Sequence, residues 1–136
     1  MKTAGANSDA PSGGKPPRDI VPRSYDFALR VIRLCVFLDE KPGVCRVLMP
    51  QILRAGTSVP SNVEEAQAAQ SKPDFISKMN IALKEARETN LRLRLLSDSG
   101  LVGDRQLQAL VQESDEIMRI LGAIIVSAKR GGSDRR

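Results

Sequence analysis

Ser71–Ser99, SKPDFISKMNIALKEARETNLRLRLLSDS, constrains the chain more than any other stretch. Ser71 is placed to cap a helix, Pro73 sits where a missing N–H costs nothing, and Asp74 puts negative charge in the first turn. Phe75, Met79, Ala82, Ala86, Leu93 and Leu96 then recur at helical spacing. On another side, Asp74–Lys78 and the ladder Lys84–Glu88–Arg92 stand four residues apart with opposite signs, which marks a solvated face. The spacing predicts a long amphipathic helix, and such a helix needs partners to cover its apolar side.

Those partners are legible on both sides of it. Residues 1–22 are rich in Gly, Pro, Ser and Ala without periodicity, and a disordered tail is expected there. Order is expected from Ser24, read as an N-cap, and the folded body from 23 to 129. From Tyr25 to Leu38 the helix is apolar around most of its circumference. Tyr25, Ala28, Ile32 and Cys35 make one stripe, and Phe27, Val31, Leu34 and Leu38 make a second. A single core uses a stripe of roughly 100°, so this helix carries apolar surface to spare. Leu48, Ile52, Ala55, Val59, Val63 and Ala66 predict a second helix between about Val44 and Gln70, kinked near Gly56–Pro60. After Gly100, Asp104 is the expected cap of a fourth helix. Its seam runs Leu107, Leu110, Val111, Ser114, Ile117, Met118, Leu121, Ile124, Ile125 and Ala128. Residues 130–136 are expected to be a disordered basic tail. Four long amphipathic helices on short loops predict an all-α, up-down-up-down antiparallel four-helix bundle.

The composition narrows the function classes. In 136 residues there is no Trp and no His, and aromatics are 3%, so the core is aliphatic. Cys35 and Cys45 lie in apolar surroundings without CxxC spacing, which excludes a zinc ribbon or a disulfide framework and fits a reducing cytoplasm. The N-terminus lacks the apolar run of a signal peptide, and no 18-residue apolar stretch spans a membrane. The net charge of +5 invites a nucleic-acid reading, but its location matters. Residues 1–23 carry four basic and two acidic side chains, residues 129–136 carry four and one, and 24–128 carries 13 of each. The excess charge is in the tails, and the body is neutral.

Enzyme chemistry finds no foothold: there is no GxGxxG, no Walker-type loop and no nucleophile elbow. Glu64, Glu65, Glu85 and Glu88 resemble carboxylate ligands of metal-binding bundles, but those sites need Glu-x-x-His pairs, so no metal or cofactor is expected. Asn62, Thr89, Asn90 and Ser114 fall within apolar stripes and are expected to pair across the bundle and fix register. Lys84, Arg87, Arg92 and Arg94 are the candidates for phosphate contact, as a row that several copies would add into a basic surface. Ile81, Leu91 and Leu95 lie outside the third helix's seam. With Phe27 and Leu34 of the over-apolar first helix, they are the candidate oligomer interface.

The segment from about Tyr25 to Leu101 resembles the bacterial family named for proteins encoded within intervening sequences of 23S ribosomal RNA genes. The resemblance rests on Ser58-Val59-Pro60-Ser61-Asn62-Val63-Glu64-Glu65-Ala66, similar to the family's S-[IV]-x-x-N-[IV]-x-E-[AG] pattern. It rests also on Asp74-Phe75 with Lys78, on Ile81 through Thr89, and on Leu93-Arg94-Leu95-Leu96. It implies a four-helix bundle assembling as a homopentamer with no established enzyme activity. Accessory proteins of diversity-generating retroelements are similar in fold. They form basic pentameric barrels that bind nucleic acid and a reverse transcriptase. Pro60, Asn62 and Glu65 are the motif residues expected to shape the second helix. The reading is a cytoplasmic homo-oligomeric scaffold that meets a protein partner; the alternative is an RNA- or DNA-binding protein.

Overall fold

The computed structural model of the chain describes residues 20–103 and 105–134. Four α-helices follow one another: α1 (Ile20–Asp39), α2 (Val44–Gln67), α3 (Lys72–Asp98) and α4 (Arg105–Asp134). Each packs on the next and α4 returns to α1, so α1 and α3 stand diagonally across the bundle. The fold is the expected antiparallel four-helix bundle. Gly43 and Gly100 carry the tight exits, with φ of 87° and 79°, a region that L side chains rarely adopt.

α3 starts as its sequence dictates. The Ser71 side chain accepts from the Asp74 N–H at 3.2 Å, while Asp74 Oδ2 accepts from the Gln70 N–H at 3.2 Å. α1 starts earlier than expected. Ser24 is no cap but a buried residue inside the helix, its hydroxyl donating to Val21 O at 3.2 Å. The extra turn is anchored by Ile20, which is buried in the core. Pro22 does not block it, because the N–H groups of a first turn have no helical acceptor.

α2 runs without interruption through Pro50 and Pro60. Each proline removes a helical hydrogen bond, at a cost of about 3 kcal/mol in an isolated helix. Burial of Ala55, Val59, Pro60 and Val63 around the second proline offsets that loss. Gly56, four residues before Pro60, is where α2 meets α1. A Cβ there would stand 2.8 Å from Val31 Cγ1.

The core collects Phe27, Val31 and Leu38 from α1, Ile52, Val59 and Val63 from α2, Met79, Leu93 and Leu96 from α3, and Leu107, Ile117 and Leu121 from α4. The polar residues expected to pair across the bundle are satisfied in two ways. Asn90 Nδ2 donates to Ser114 Oγ across α3 and α4 at 2.8 Å, and the Ser114 hydroxyl donates in turn to Val111 O. Thr89 and Asn62 instead bond back to carbonyls of their own helices, Glu85 O and Ser58 O. Of these four residues, only Asn90 and Ser114 therefore tie register between helices.

At the far end α4 continues as helix to Asp134, although a disordered tail is expected from residue 130. Extending a formed helix is cheap compared with nucleating one. Lys72 Nζ also holds the last turns by donating to Ala128 O at 3.2 Å. The expected Asp104 cap and the tail from 1 to 19 lie outside the described residues.

Candidate interaction surfaces

The α3 face away from the core carries the row expected to meet phosphate. Lys84, Arg87 and Arg94 are exposed on it and have no ion-pair partner among the described residues. Arg94 Nε donates to the buried Asn90 Oδ1 at 2.8 Å, which holds the guanidinium in place along the helix. Arg92 does not belong to the row. It is half-buried between α2 and α3, with Nη2 on Glu88 at 2.9 Å and Nη1 on Gln51.

Glu88 sits at the centre of that seam. Arg92, together with Arg54 from α2 at 2.9 Å, holds its carboxyl below the usual carboxylate range. Glu85 is tied to the same Arg54, at 3.3 Å, and Glu65 to Lys78 at 3.0 Å. Of the carboxylates that resembled metal ligands, Glu65, Glu85 and Glu88 therefore work as helix-to-helix ion pairs. Among the described residues no group of three or more Cys, Asp or Glu is arranged to hold a metal. Of the motif residues, Pro60 is buried, Asn62 bonds within α2 and Glu65 links α2 to α3.

The candidate interface residues divide. Ile81, Leu91 and Leu95 are exposed on α3, Leu95 by 59%. Phe27 and Leu34 are not available to a partner: they are 1% and 6% exposed, inside the core. The other α1 stripe is split: Ala28 and Cys35 are buried as well, and what α1 presents outward is Tyr25 and Ile32 together with Val36, the last 60% exposed. With half-buried Leu29 these positions stand at i, i+4, i+7 and i+11, one face of a helix. Asp39, Met49 and Leu53 border it where α1 meets α2.

A second feature escaped the sequence. Where α1 lies along α4, a groove of about 580 Å³ opens between Arg30, Arg33, Leu34 and Phe37 on one side and Gln106, Ala109 and Leu110 on the other. Lys41 Nζ stands 5.1 Å from the centre of the ring of Phe37, one of the lining residues. Its residues lie on two helices far apart in the chain, so no local pattern announces it.

Among the described residues no helix is long and apolar enough to cross a membrane. No curated protein matches the chain. A solved structure from Bacteroides thetaiotaomicron VPI-5482, described as a protein with unknown function from the S23 ribosomal protein family, is 42% identical. The match covers 78% of this chain and 97% of that one, with a TM-score of 0.73. The family model for the 23S rRNA-intervening sequence protein matches residues 18–123, from just before α1 to the middle of α4. With the bundle, its packing and most of the chain in agreement, this protein belongs to the 23S rRNA-intervening sequence protein family.

Proposed function

We propose that the protein is a non-enzymatic interaction module that works as a homo-oligomer in the cytoplasm. The observation that carries this is the pair of apolar stripes on diagonal helices, Tyr25, Ile32 and Val36 on α1 and Ile81, Leu91 and Leu95 on α3. Exposed apolar residues scattered singly need no explanation, but two aligned rows on opposite sides of one bundle do. A homopentamer is the assembly that the family resemblance implies. Two free, buried thiols are in keeping with a reducing compartment. Native mass measurement on the full chain tests the reading. A single species at a whole multiple of 14.8 kDa is expected, five copies being the multiple that fits a pentamer; a monomer at tens of micromolar overturns it.

A second reading, binding of RNA or DNA, is favoured by Lys84, Arg87 and Arg94. These three cations lack acidic partners among the described residues and span about 15 Å of α3 at 1.5 Å per residue. Repeated in each copy, the row would gain from multivalency. RNA and duplex-DNA binding across a salt series tests it. The triple alanine variant is expected to flatten the slope of log K against log salt, by about 0.9 for each phosphate no longer neutralised on duplex DNA. An unchanged slope removes the row from consideration.

A further inference from the structure

Arg94 differs from the other two cations of the α3 row in how it is held. Its Nε donates to Asn90 Oδ1 at 2.8 Å, one turn back along α3. Asn90 is buried, and its Nδ2 donates to Ser114 Oγ at 2.8 Å across the seam with α4. The Ser114 hydroxyl donates in turn to Val111 O at 2.8 Å. Each link of this chain has one possible direction. Ser114 uses its only proton on the carbonyl, so its oxygen must accept, and only the amide nitrogen of Asn90 can donate to it. Oδ1 is then left facing Arg94, which can only donate. The direction of the guanidinium is therefore set by the packing of α3 on α4. Its two η-nitrogens take no hydrogen bond among the described residues, and the side chain is exposed. Lys84 and Arg87, exposed on the same face, have neither an ion-pair nor a hydrogen-bond partner among the described residues, so nothing fixes where they point. No acid cancels the Arg94 charge. Glu88 is engaged by Arg54 and Arg92, and Asp98, one turn beyond Arg94, makes no ion pair with it among the described residues.

We propose that Asn90 is a positioning residue for an oxyanion site, in which the oriented fork of Arg94 makes a bidentate contact with a nucleic-acid phosphate that Lys84 and Arg87 support by charge alone. The inference rests on the nucleic-acid reading above and names the residue that carries the contact. A guanidinium presents its donors in a planar fork that matches two phosphate oxygens, and a fork already fixed loses less freedom on binding. The spacing of the row favours phosphates over the carboxylates of a protein partner. Its cations stand three and seven residues apart, over about 15 Å. A strand of duplex DNA offers a phosphate about every 3.4 Å along the axis, so it meets each cation in any register. A protein would need acidic residues placed to match that uneven spacing.

The test uses the full chain, with labelled single-stranded RNA and duplex DNA followed by fluorescence anisotropy across a salt series. Arg94→Lys and Arg87→Lys both keep the charge, so both are expected to leave the slope of log K against log salt unchanged. Arg94→Lys is expected to weaken binding about tenfold or more at every salt, the worth of one charge-assisted hydrogen bond, and Arg87→Lys less than about twofold. Asn90→Ala is expected to match Arg94→Lys, and the two together to bind no more weakly than either alone. Circular dichroism confirms that each variant is folded. A second readout needs neither a ligand nor the Asn90 variant. By nuclear magnetic resonance of the wild type, the Arg94 Nε–H is expected to exchange with water more slowly than that of Arg87, and equal rates overturn the proposal. Losses equal within about twofold for the two lysine variants, in a chain that does bind, overturn it as well. Poly-glutamate that displaces the RNA as well as inorganic polyphosphate of equal charge makes the fork a carboxylate site, and that also overturns it. An altered native mass in Arg94→Lys places the fork in the contact between copies, with the same consequence. A wild type that binds neither RNA nor DNA, while its Arg94 Nε–H is slow, sinks the nucleic-acid reading itself, and the phosphate contact falls with it.

Discussion

Gly56 shows how much one hydrogen atom in place of a methyl decides. It lies inside α2, where alanine is favoured over glycine by about 1 kcal/mol. A Cβ there would meet not only Val31 Cγ1 at 2.8 Å but also Val31 Cβ and Cγ2, each at 3.2 Å. Rotating the valine cannot clear all three contacts, and Val31 is fully buried, so a backbone has to move. Overpacking of this kind costs about 1–3 kcal/mol and outweighs the propensity gain. Gly56→Ala is therefore expected to destabilise the bundle by about 1 kcal/mol, the overpacking cost less the propensity gain, and Val31→Ala added to it to restore part of the loss. Gly122, also helical, has nothing within 4 Å of its would-be Cβ, so Gly122→Ala is expected to gain about 0.5–1 kcal/mol. Urea unfolding of these variants beside the wild type checks both signs, and a stabilising Gly56→Ala would show that α1 and α2 do not approach this closely. Cys35 is quiet by contrast. Burial pushes the Cys35 thiol from 9.0 up to about 11, which leaves it without thiolate character near neutrality.

At the scale of the helices, the α2–α3 seam depends on a charge that acid removes. Glu88 accepts from Arg92 on its own helix and from Arg54 on the facing one, and those bonds favour its ionised form. Its folded carboxyl titrates below the ordinary 4.5. The stabilisation it brings is thus complete above that ordinary value and is lost as pH falls through the lowered folded one. Glu88→Gln is expected to melt below the wild type at neutral pH, with the gap closing as both are acidified. Melting temperature followed from pH 7 into the acid range checks this, and a gap that stays constant would detach Glu88 from the seam's stability. The same helices show what a sequence reveals about itself. α3 is readable to its cap, because Ser71, Pro73 and Asp74 are local signals and no tertiary contact opposes them. The start of α1 is not, because a plausible cap at Ser24 competes with a core contact at Ile20 that no local pattern displays. The exposed Ile81, Leu91 and Leu95 can be found as residues outside a clear seam. On α1 two stripes of equal apolarity leave the choice open: that of Phe27 and Leu34 is buried whole, and the other is split, with Ala28 and Cys35 inside and Tyr25 and Ile32 outside. Which stripe is inside depends on where α2 and α4 stand, and α1 alone does not encode that.

For the whole molecule, the placement of the two exposed stripes constrains how copies can meet. α1 and α3 are diagonal, and each turns its stripe away from the common core, so the stripes face opposite ways. If each stripe met its own counterpart on a second copy, the contacts would be isologous, and loss of one stripe would leave dimers joined through the other. If the α1 stripe of one copy met the α3 stripe of the next, the contact would be heterologous, and a ring such as a pentamer would close only through that arrangement. The stripes differ in composition, with β-branched Ile32 and Val36 beside Tyr25 on α1 and Leu91 and Leu95 on α3. The expected outcome is therefore specific. Val36→Glu and Leu95→Glu, both at well-exposed positions, each give a folded monomer alone, because each variant lacks one half of the same contact. Mixed in equal amounts they give a heterodimer and nothing larger, since each supplies the intact stripe that the other needs and neither can extend the assembly further. Native mass spectrometry of the mixture reads this directly. Dimers in either variant alone would establish like-with-like contacts and rule out the ring.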